Sequence, residues 1–394
     1  MNTKQILLSL IVISWLLLGC KKKEETIPAL MVPTNYDTST FSADVADILS
    51  AQTSFRTNVV LEMQKGRTQG NLVNRTTLAA GYDAIKSFST PYYRNLIEKT
   101  GGFFDQIVEA SQGTDTIDFT SAFPKSTGGV GATSISNGRG VGYLYTKHAV
   151  ETEQLIEKGS FGAIMYNQAT QILRKPDLTL RDVNRAMQFL GMHPTFPNGL
   201  GTGNNVDRFV AVYAARRDNA DERDGKGYYT LIKENFLRLQ AALKAGSRYN
   251  ADRDDAINKI IEYAEKALAA TAINYVKHDF QKNAVNKNDS RVLARTKHSW
   301  SEGVGFLLGL KTVQHKKITD AQIDELISIL KANENGTATA YTFFGSNSEL
   351  AKLDEFTRKL QNIYGFTSAQ IERFARNDVN DRASRMRLAV LNEE

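Results

Sequence analysis

The sequence has very little cysteine: Cys20 is the single one in 394 residues. One cysteine cannot form a disulfide within the chain, and it cannot supply the several thiolates of a structural zinc site. Charge of one sign is also scarce, since 49 Lys and Arg face 43 Asp and Glu and leave a net charge of +6. The basic residues do not interleave with aromatic ones as they do in nucleic-acid platforms. We therefore expect no nucleic-acid partner.

Motifs that dictate a reaction are absent as well. The chain contains neither the His-Glu-x-x-His helix of zinc proteases nor the Gly-x-Ser-x-Gly turn of serine hydrolases. The glycines between 126 and 142 lack the Gly-Lys-Ser/Thr ending of a phosphate-binding loop. We interpret residues 112–143 as a long loop that contains at most an extended piece. These absences favour a protein without catalytic activity over an enzyme.

Residues 1–19 are interpreted as a signal peptide. Lys4 precedes an apolar run, Ile6 to Leu18, which is too short to cross a bilayer of roughly 30 Å as a helix. The run ends in Leu-Leu-Gly-Cys, which resembles the lipobox of bacterial lipoproteins. That resemblance implies cleavage before Cys20 and acylation of this residue, and more than one acyl chain makes a stable membrane anchor.

Residues 20–32 are interpreted as the lipidated Cys20 followed by a charged linker. The run Lys-Lys-Lys-Glu-Glu at 21–25 resembles the export signal of surface lipoproteins in Bacteroidetes-type bacteria. We therefore expect attachment to outer-membrane lipid through Cys20, with the protein facing the cell surface. A periplasm-facing anchor, with the charged run acting only as a solvated tether, is the alternative.

Residues 33–394 are expected to form an all-helical domain. Apolar residues recur at helical spacing along most of it, for example over 147–174 and 290–311. No set of alternating strands is long enough for a sheet. A break rich in Gly, Asn and Pro at 193–206 could divide the domain into two halves that meet near 200–230. The sequence predicts an all-α fold, a large, bundle-like single domain.

Two of the expected helices carry the most specific pattern. In the helix predicted over 147–174, His148 and Glu151 precede Gly159 and Gly162, and apolar residues occupy both sides. A glycine inside a helix costs about 1 kcal/mol relative to alanine. We expect a neighbouring backbone to approach closely there and compensate this cost.

The second is the helix predicted over 297–311. His298, Glu302, Gly305 and Gly309 lie on one narrow stripe of it, at i, i+4, i+7 and i+11. A His and a Glu one turn apart can hydrogen-bond each other or share a metal ion. The glycines would let another helix pack closely beside that pair.

The four polar residues of these helices are the candidate metal- or ligand-binding residues. If His148, Glu151, His298 and Glu302 converge within a few ångströms, they could form a metal-dependent site. The other interpretation is that they are hydrogen-bonded pairs at a helix interface. The remaining histidines lie near helix ends or loops and are expected to cap helices or face solvent.

Three segments together resemble a known family. They are Pro33-Thr34-Asn35-Tyr36, the stretch 155–170 that includes Leu-Ile-Glu-Lys-Gly and Tyr-Asn-Gln-Ala-Thr, and His-Ser-Trp-Ser-Glu-Gly-Val-Gly-Phe at 298–306. In this order they are similar to the domain of unknown function 4856 family, lipoproteins of Bacteroidetes-type bacteria. The resemblance implies an all-helical protein without an established activity. It also implies a gene neighbourhood with imelysin-like lipoproteins and outer-membrane receptors, and hence a link to iron or haem uptake by association.

Comparison with imelysin-like proteins is only partial. Their signature is Gly-x-His-x-x-Glu, whereas this chain has Thr146 and Lys147 before His148 and Glu151. A stretch at 181–191 also aligns in type with the later helix, but without a His or Glu; there we expect Arg185 to form an ion pair with Glu302. The stretch at 181–191 therefore does not repeat the candidate His and Glu ligands of the later helix.

Together these observations predict a surface lipoprotein that acts as a non-enzymatic binding or accessory protein, with iron or haem as the expected ligand. The alternatives are an imelysin-like metal-dependent peptidase or hydrolase and a structural partner of an outer-membrane complex. An envelope protein is the expected protein partner.

Overall fold

A computed structural model of the chain describes residues 28–381, except 120–122, 219–225 and 287, and also residue 383. The predicted signal peptide and Cys20 lie outside the described residues, as does most of the predicted linker. Among the helices that are described, none is both long and apolar enough to cross a membrane.

The fold is all-α, as the sequence predicted, and its helices follow one another along almost the whole described chain. The helices are α1 (Phe41–Ser54, continued by a π-helical segment Phe55–Val60 and by Leu61–Lys65), α2 (Arg75–Asp83), α3 (Pro91–Glu98), α4 (Phe103–Gln112), α5 (Thr152–Ser160, continued by a π-helical segment Phe161–Tyr166 and by Asn167–Leu173), α6 (Leu180–Leu190), α7 (Phe209–Arg216), α8 (Tyr228–Ala245), α9 (Asn250–Ile273, continued by a π-helical segment Asn274–Gln281), α10 (Ser290–Leu310), α11 (Asp320–Ile329), α12 (Asn347–Ala351), α13 (Leu353–Tyr364) and α14 (Ser368–Arg373).

One continuous apolar core joins these helices. Its buried side chains extend along the chain from Tyr36 to Phe374, on both sides of the predicted division near 200–230. Trp300 of α10 lies deep within it, and its indole Nε1 donates a hydrogen bond of 2.9 Å to the carbonyl oxygen of Leu330. Helix α10 is thus surrounded by the other elements rather than lying on the surface.

A β-hairpin interrupts the helices where the sequence analysis expected a loop. Strands β1 (Gly128–Ser136) and β2 (Arg139–Thr146) pair antiparallel, and the hairpin packs against α4 and α10. Asn137 and Gly138 form the turn with positive φ angles of 50° and 73°, as expected for the Asn-Gly hairpin signal. The expectation of no sheet was wrong here because the strands are rich in glycine and lack a clear apolar alternation.

Helix α5 also begins later than the sequence predicted. It starts at Thr152, so His148 and Glu151 precede the helix instead of lying on its face. The backbone N–H of Thr146 donates to the carbonyl oxygen of Val150, which closes a tight turn after β2. Ala149 adopts a φ of 54° inside this turn. The prediction of one continuous helix over 147–174 was therefore wrong for its first five residues.

Helices α5 and α10 pack with their backbones in near contact, and glycines make this possible. A methyl group on Gly309 would lie 2.1 Å from the carbonyl oxygen of Gly159, and one on Gly162 would lie 2.5 Å from the carbonyl carbon of Gly309. One turn earlier, a methyl group on Gly305 would lie 2.6 Å from the carbonyl oxygen of Gln154. Any side chain at these positions would force the two helices apart.

We predict that Gly309→Ala destabilises the protein by about 1–3 kcal/mol, because the new methyl group meets backbone that cannot move without separating the helices. Gly303→Ala is the matched control on the same helix, since its methyl group meets only the tip of Val276 at 2.7 Å. Urea unfolding of both variants measures the difference. Equal stability of the two variants would contradict the close packing of α5 and α10.

Candidate functional site

A group of charged side chains, most of them buried, lies where the beginning of α5 meets the middle of α10. We call it the buried charge cluster; its members are Arg56, Arg67, Glu151, Glu153, Glu157, Lys158, His298 and Glu302. The glycines bring α5 and α10 close enough for side chains of both helices to share partners. The π-helical part of α1 and the segment that follows α1 each add an arginine.

His298 lies at the centre of the cluster between two carboxylates. Its Nδ1 is 2.5 Å from Oε2 of Glu151, and its Nε2 is 3.5 Å from Oε2 of Glu302. Its ring stacks on that of Tyr143 from β2, with centroids 4.2 Å apart. Burial alone would lower the pKa of His298, but the charges of Glu151 and Glu302 outweigh it and raise this pKa to about 9. His298 is therefore protonated at neutral pH.

Lys158 forms the second centre of the cluster. Its Nζ lies 3.0 Å from Oε2 of Glu157 and 3.4 Å from Oε1 of Glu302. Burial opposes its charge, yet Tyr213 and the two carboxylates hold the pKa of Lys158 well above its ordinary value. Glu157 also accepts a 2.8 Å bond from Nη1 of Arg56. Burial opposes the charge of Glu157 too, and Lys158 and Arg56 nevertheless lower its pKa.

Arg67 completes the cluster on the side of the hairpin. Its Nε and Nη2 donate to the two carboxylate oxygens of Glu153 at 2.8 and 2.9 Å, and Nη2 lies 3.3 Å from Oε1 of Glu151. The guanidinium also lies over the ring of Tyr143, 5.2 Å from its centroid. Burial and the charge of Glu151 raise the pKa of Glu153 to about 7. This paired geometry fixes the position of Arg67 between the two glutamates.

The cluster contains four glutamates and, with His298 protonated, four cations, so its charges balance when all four glutamates are ionised. Removing one partner would leave an uncompensated buried charge, which is strongly destabilising. Across the described residues, no group of three or more His, Cys, Asp or Glu side chains is arranged to hold a metal ion. A metal here would have to displace the cationic side chains of Lys158 and Arg67 from their carboxylates. The geometry fits internal ion pairing and does not fit a metal centre.

Three of the four candidate residues from the sequence converge, and the fourth does not. Glu151, His298 and Glu302 meet in the cluster, whereas Nδ1 of His148 lies 3.3 Å from the hydroxyl of Tyr341. His148 lines a separate surface cavity of about 260 Å³. Burial and the nearby Lys147 lower the pKa of His148.

The sequence analysis missed most of the charged partners in the cluster. Glu153, Glu157 and Lys158 lie on a helix that was already expected to be buried on both sides, and this was the available signal. Charged residues on such a helix must find partners inside the protein. The two arginines gave no such signal, because their distance along the chain hides their contact.

The expected ion pair between Arg185 and Glu302 does not form. Arg185 of α6 instead forms two hydrogen bonds with the carboxylate of Asp47 on α1, at 2.7 and 2.8 Å. The pairing of Glu302 with His298 and Lys158 leaves no role for Arg185 in the cluster. Through Arg185, helix α6 is therefore bonded to α1 and not to α10.

The chain matches no known protein-family model, no curated protein and no solved structure. Its resemblance to the domain of unknown function 4856 family stays a prediction.

We predict that the stabilising effect of His298 depends on pH. Its folded-state pKa of about 9 lies above the ordinary value of 6.5, so its contribution is fully present below pH 6.5 and is lost as the pH rises through 9. The difference in unfolding free energy between the native protein and His298→Gln should shrink by roughly 3 kcal/mol from pH 6 to pH 10. Urea unfolding at both pH values measures it.

The matched control is His315→Gln. Burial lowers the pKa of His315 below its ordinary 6.5, so its variant should show a change of the opposite sign around pH 6 and no change between about pH 8 and pH 10. A constant difference for His298→Gln across the whole range would contradict a protonated His298 between two carboxylates.

We predict that Lys158→Met destabilises the protein by about 3–5 kcal/mol, because Glu302 and Glu157 would lose a buried partner. The control is Lys259→Met, whose exposed partner Asp255 lies one turn away at 2.9 Å, and which should cost less than about 1 kcal/mol. The double variant Lys158→Met/Glu302→Gln should recover part of the loss. Strict additivity of the two single changes would show that the two residues are not coupled.

Proposed function

We propose that this protein is a non-enzymatic binding or accessory lipoprotein of the bacterial cell envelope, anchored in the outer membrane through acylated Cys20 and facing the cell surface. Iron or haem uptake is the process in which we place it. The observation that carries the non-enzymatic part of the proposal is the pairing of the buried charge cluster. Its carboxylates and His298 bind each other and nearby cations, so no member is left to act on a substrate.

The beginning of the folded domain supports an attachment by a tether. Met31 is 91% exposed, and Tyr36 is the first described residue that is buried. The hydroxyl of Tyr36 donates a 2.7 Å hydrogen bond to Oδ1 of Asn184 and so fixes the chain to α6. The 15 residues between Cys20 and Tyr36 can span at most about 50 Å. An anchor at Cys20 would thus hold the domain close to a membrane without burying its surface.

Surface concavities support a binding role. A groove of about 1120 Å³ runs along α1 beside Phe41, Val45 and Leu49 and is closed on the other side by the segment after α6. A second cavity of about 480 Å³ is lined by residues of both charges, among them Arg174 and Glu265. Sites for small ligands usually have volumes of this order.

The resemblance of the three sequence segments to lipoproteins encoded near imelysin-like proteins supports the link to iron or haem. It also supports an envelope protein as the partner, since the same neighbourhoods contain outer-membrane receptors. Both parts rest on association and not on the geometry of a site.

One observation favours a second candidate, an imelysin-like metal-dependent peptidase. Glu151, His298 and Glu302 do converge, as such an enzyme would require. The separate position of His148 and the presence of Lys158 beside Glu302 weigh against it.

The proposal predicts that the full chain, expressed in a Bacteroidetes-type host, incorporates labelled palmitate and sediments with the outer membrane. Added protease should digest it on intact cells. In the matched variant Cys20→Ala, the label should be lost and the protein should no longer sediment, because Cys20 is the one cysteine that can carry the lipid. Palmitate labelling of Cys20→Ala, or protection of the native protein from added protease, would contradict the anchor or the surface location.

Calorimetric titration of the membrane-extracted protein with haem and with ferric iron tests the binding part of the same proposal. We expect saturable binding of one of them, with growth of a deletion strain impaired under iron limitation. Absence of both effects would exclude the link to iron. Hydrolysis of a casein substrate that depends on added metal and is lost in Glu302→Gln would instead support the peptidase.

A further inference from the structure

Lys297 is a buried lysine that the charge cluster does not use. It lies on α10 one position before His298, but its side chain faces an aromatic cavity instead of the charge cluster. The residue is only 4% exposed. Its Nζ lies 3.0 Å from the centroid of the Trp300 ring. No carboxylate among the described side chains lies within ion-pair distance of this nitrogen.

This environment favours the uncharged amine. A buried ammonium loses its hydration free energy, and attraction to the face of one aromatic ring compensates only part of that loss. Burial alone therefore holds the pKa of Lys297 well below its ordinary value. Lys158 is an internal comparison, because it is equally buried yet remains charged beside Glu157 and Glu302.

A small aromatic cavity adjoins Lys297. It has a volume of about 50 Å³, and its wall includes Phe119, Phe280 and Phe344 besides the lysine. Phe119 and Phe344 approach with ring centroids 5.7 Å apart. A cavity of this size holds a few atoms beyond a water molecule and favours an apolar occupant. The cavity thus offers apolar contact to a small molecule beside an amine.

Partly exposed residues form the opening of the cavity. Ala340 and Tyr341 lie in the segment between α11 and α12 and are neither fully buried nor fully exposed. The hydroxyl of Tyr341 contacts His148, and the amines of Lys125 and Lys331 lie over rings of the cavity wall. Helix α9 contributes Phe280, and the turn before α5 contributes Ala149. None of these elements brings a described acidic side chain to Lys297.

We propose that Lys297 is a nucleophilic amine that captures a short aliphatic aldehyde in this cavity as an imine. The geometry combines what such a site needs, namely an amine without a counterion among the described side chains, an apolar wall for the ligand's short carbon chain and an opening to solvent. This site is separate from the charge cluster and does not depend on the proposed envelope function.

The chemistry is an ordinary condensation. The lone pair of Nζ attacks the carbonyl carbon, the carbonyl oxygen takes up a proton, and a carbinolamine forms. Loss of that oxygen as water, with both protons from the amine leaving in the process, gives the C=N bond of the imine. Atoms balance with water as the one by-product, and no oxidant or reductant is required.

The test uses the full chain with acetaldehyde near pH 7, followed by sodium cyanoborohydride, which reduces any imine to a stable N-ethyl amine. Peptide mass spectrometry then locates the modified lysines. We expect Lys297 to be modified at least tenfold faster than Lys158 and the exposed lysines, which are protonated at this pH. Faster modification of surface lysines, with Lys297 unmodified, would overturn the proposal.

Two variants separate chemistry from folding. Lys297→Met should abolish the rapid labelling, and Ala340→Leu should slow labelling of Lys297 at least tenfold by filling the opening while leaving the amine in place. Circular dichroism shows whether both remain folded. Unchanged labelling of Lys297 in Ala340→Leu would show that the aromatic cavity does not bind the aldehyde.

Discussion

The near contact of the α5 and α10 backbones is the constraint on which the rest of the structure depends. Glycines at the crossing remove the side chains that normally keep helices 8–10 Å apart. At this short separation, the charged residues of one helix come within reach of the other. The buried charge cluster is therefore a consequence of the crossing as well as a support for it.

Burying several charges between two helices is costly, and the cluster shows how the cost is offset. Each carboxylate in it has at least one cationic neighbour, and three of the cations contact more than one carboxylate. Hydrogen bonds to neutral groups add to this, since the backbone N–H of Glu151 donates to the hydroxyl of Ser301 at 3.1 Å. A shared network of this kind fixes the register of α5 against α10, because a shift by one turn would leave charges unpaired.

Helical periodicity was enough to predict the all-α class and the closeness of the glycines, because both follow from spacing along a single helix. The pair of His298 and Glu302 was readable for the same reason. Glu151 could be named only by its motif, and its extended backbone before α5 was not foreseen. The roles of Arg56 and Arg67 were not predicted, because no local sequence pattern indicates that α1 lies beside α5. The hairpin was not predicted because its glycine-rich strands show no apolar alternation, although Asn137-Gly138 is a typical turn sequence.

The attachment of Tyr36 and Asp37 has a mechanical consequence. The backbone N–H of Asp37 donates to Gln240 at 2.8 Å, and the Asp37 carboxylate pairs with Lys244 of α8. Together with the bond from Tyr36 to Asn184, these contacts join the beginning of the domain to two helices that lie far along the chain. A force applied to the preceding segment would load all three contacts at once instead of unwinding α1 turn by turn. The first helix is thus shielded from tension by partners that lie some 150 to 200 residues further along the chain.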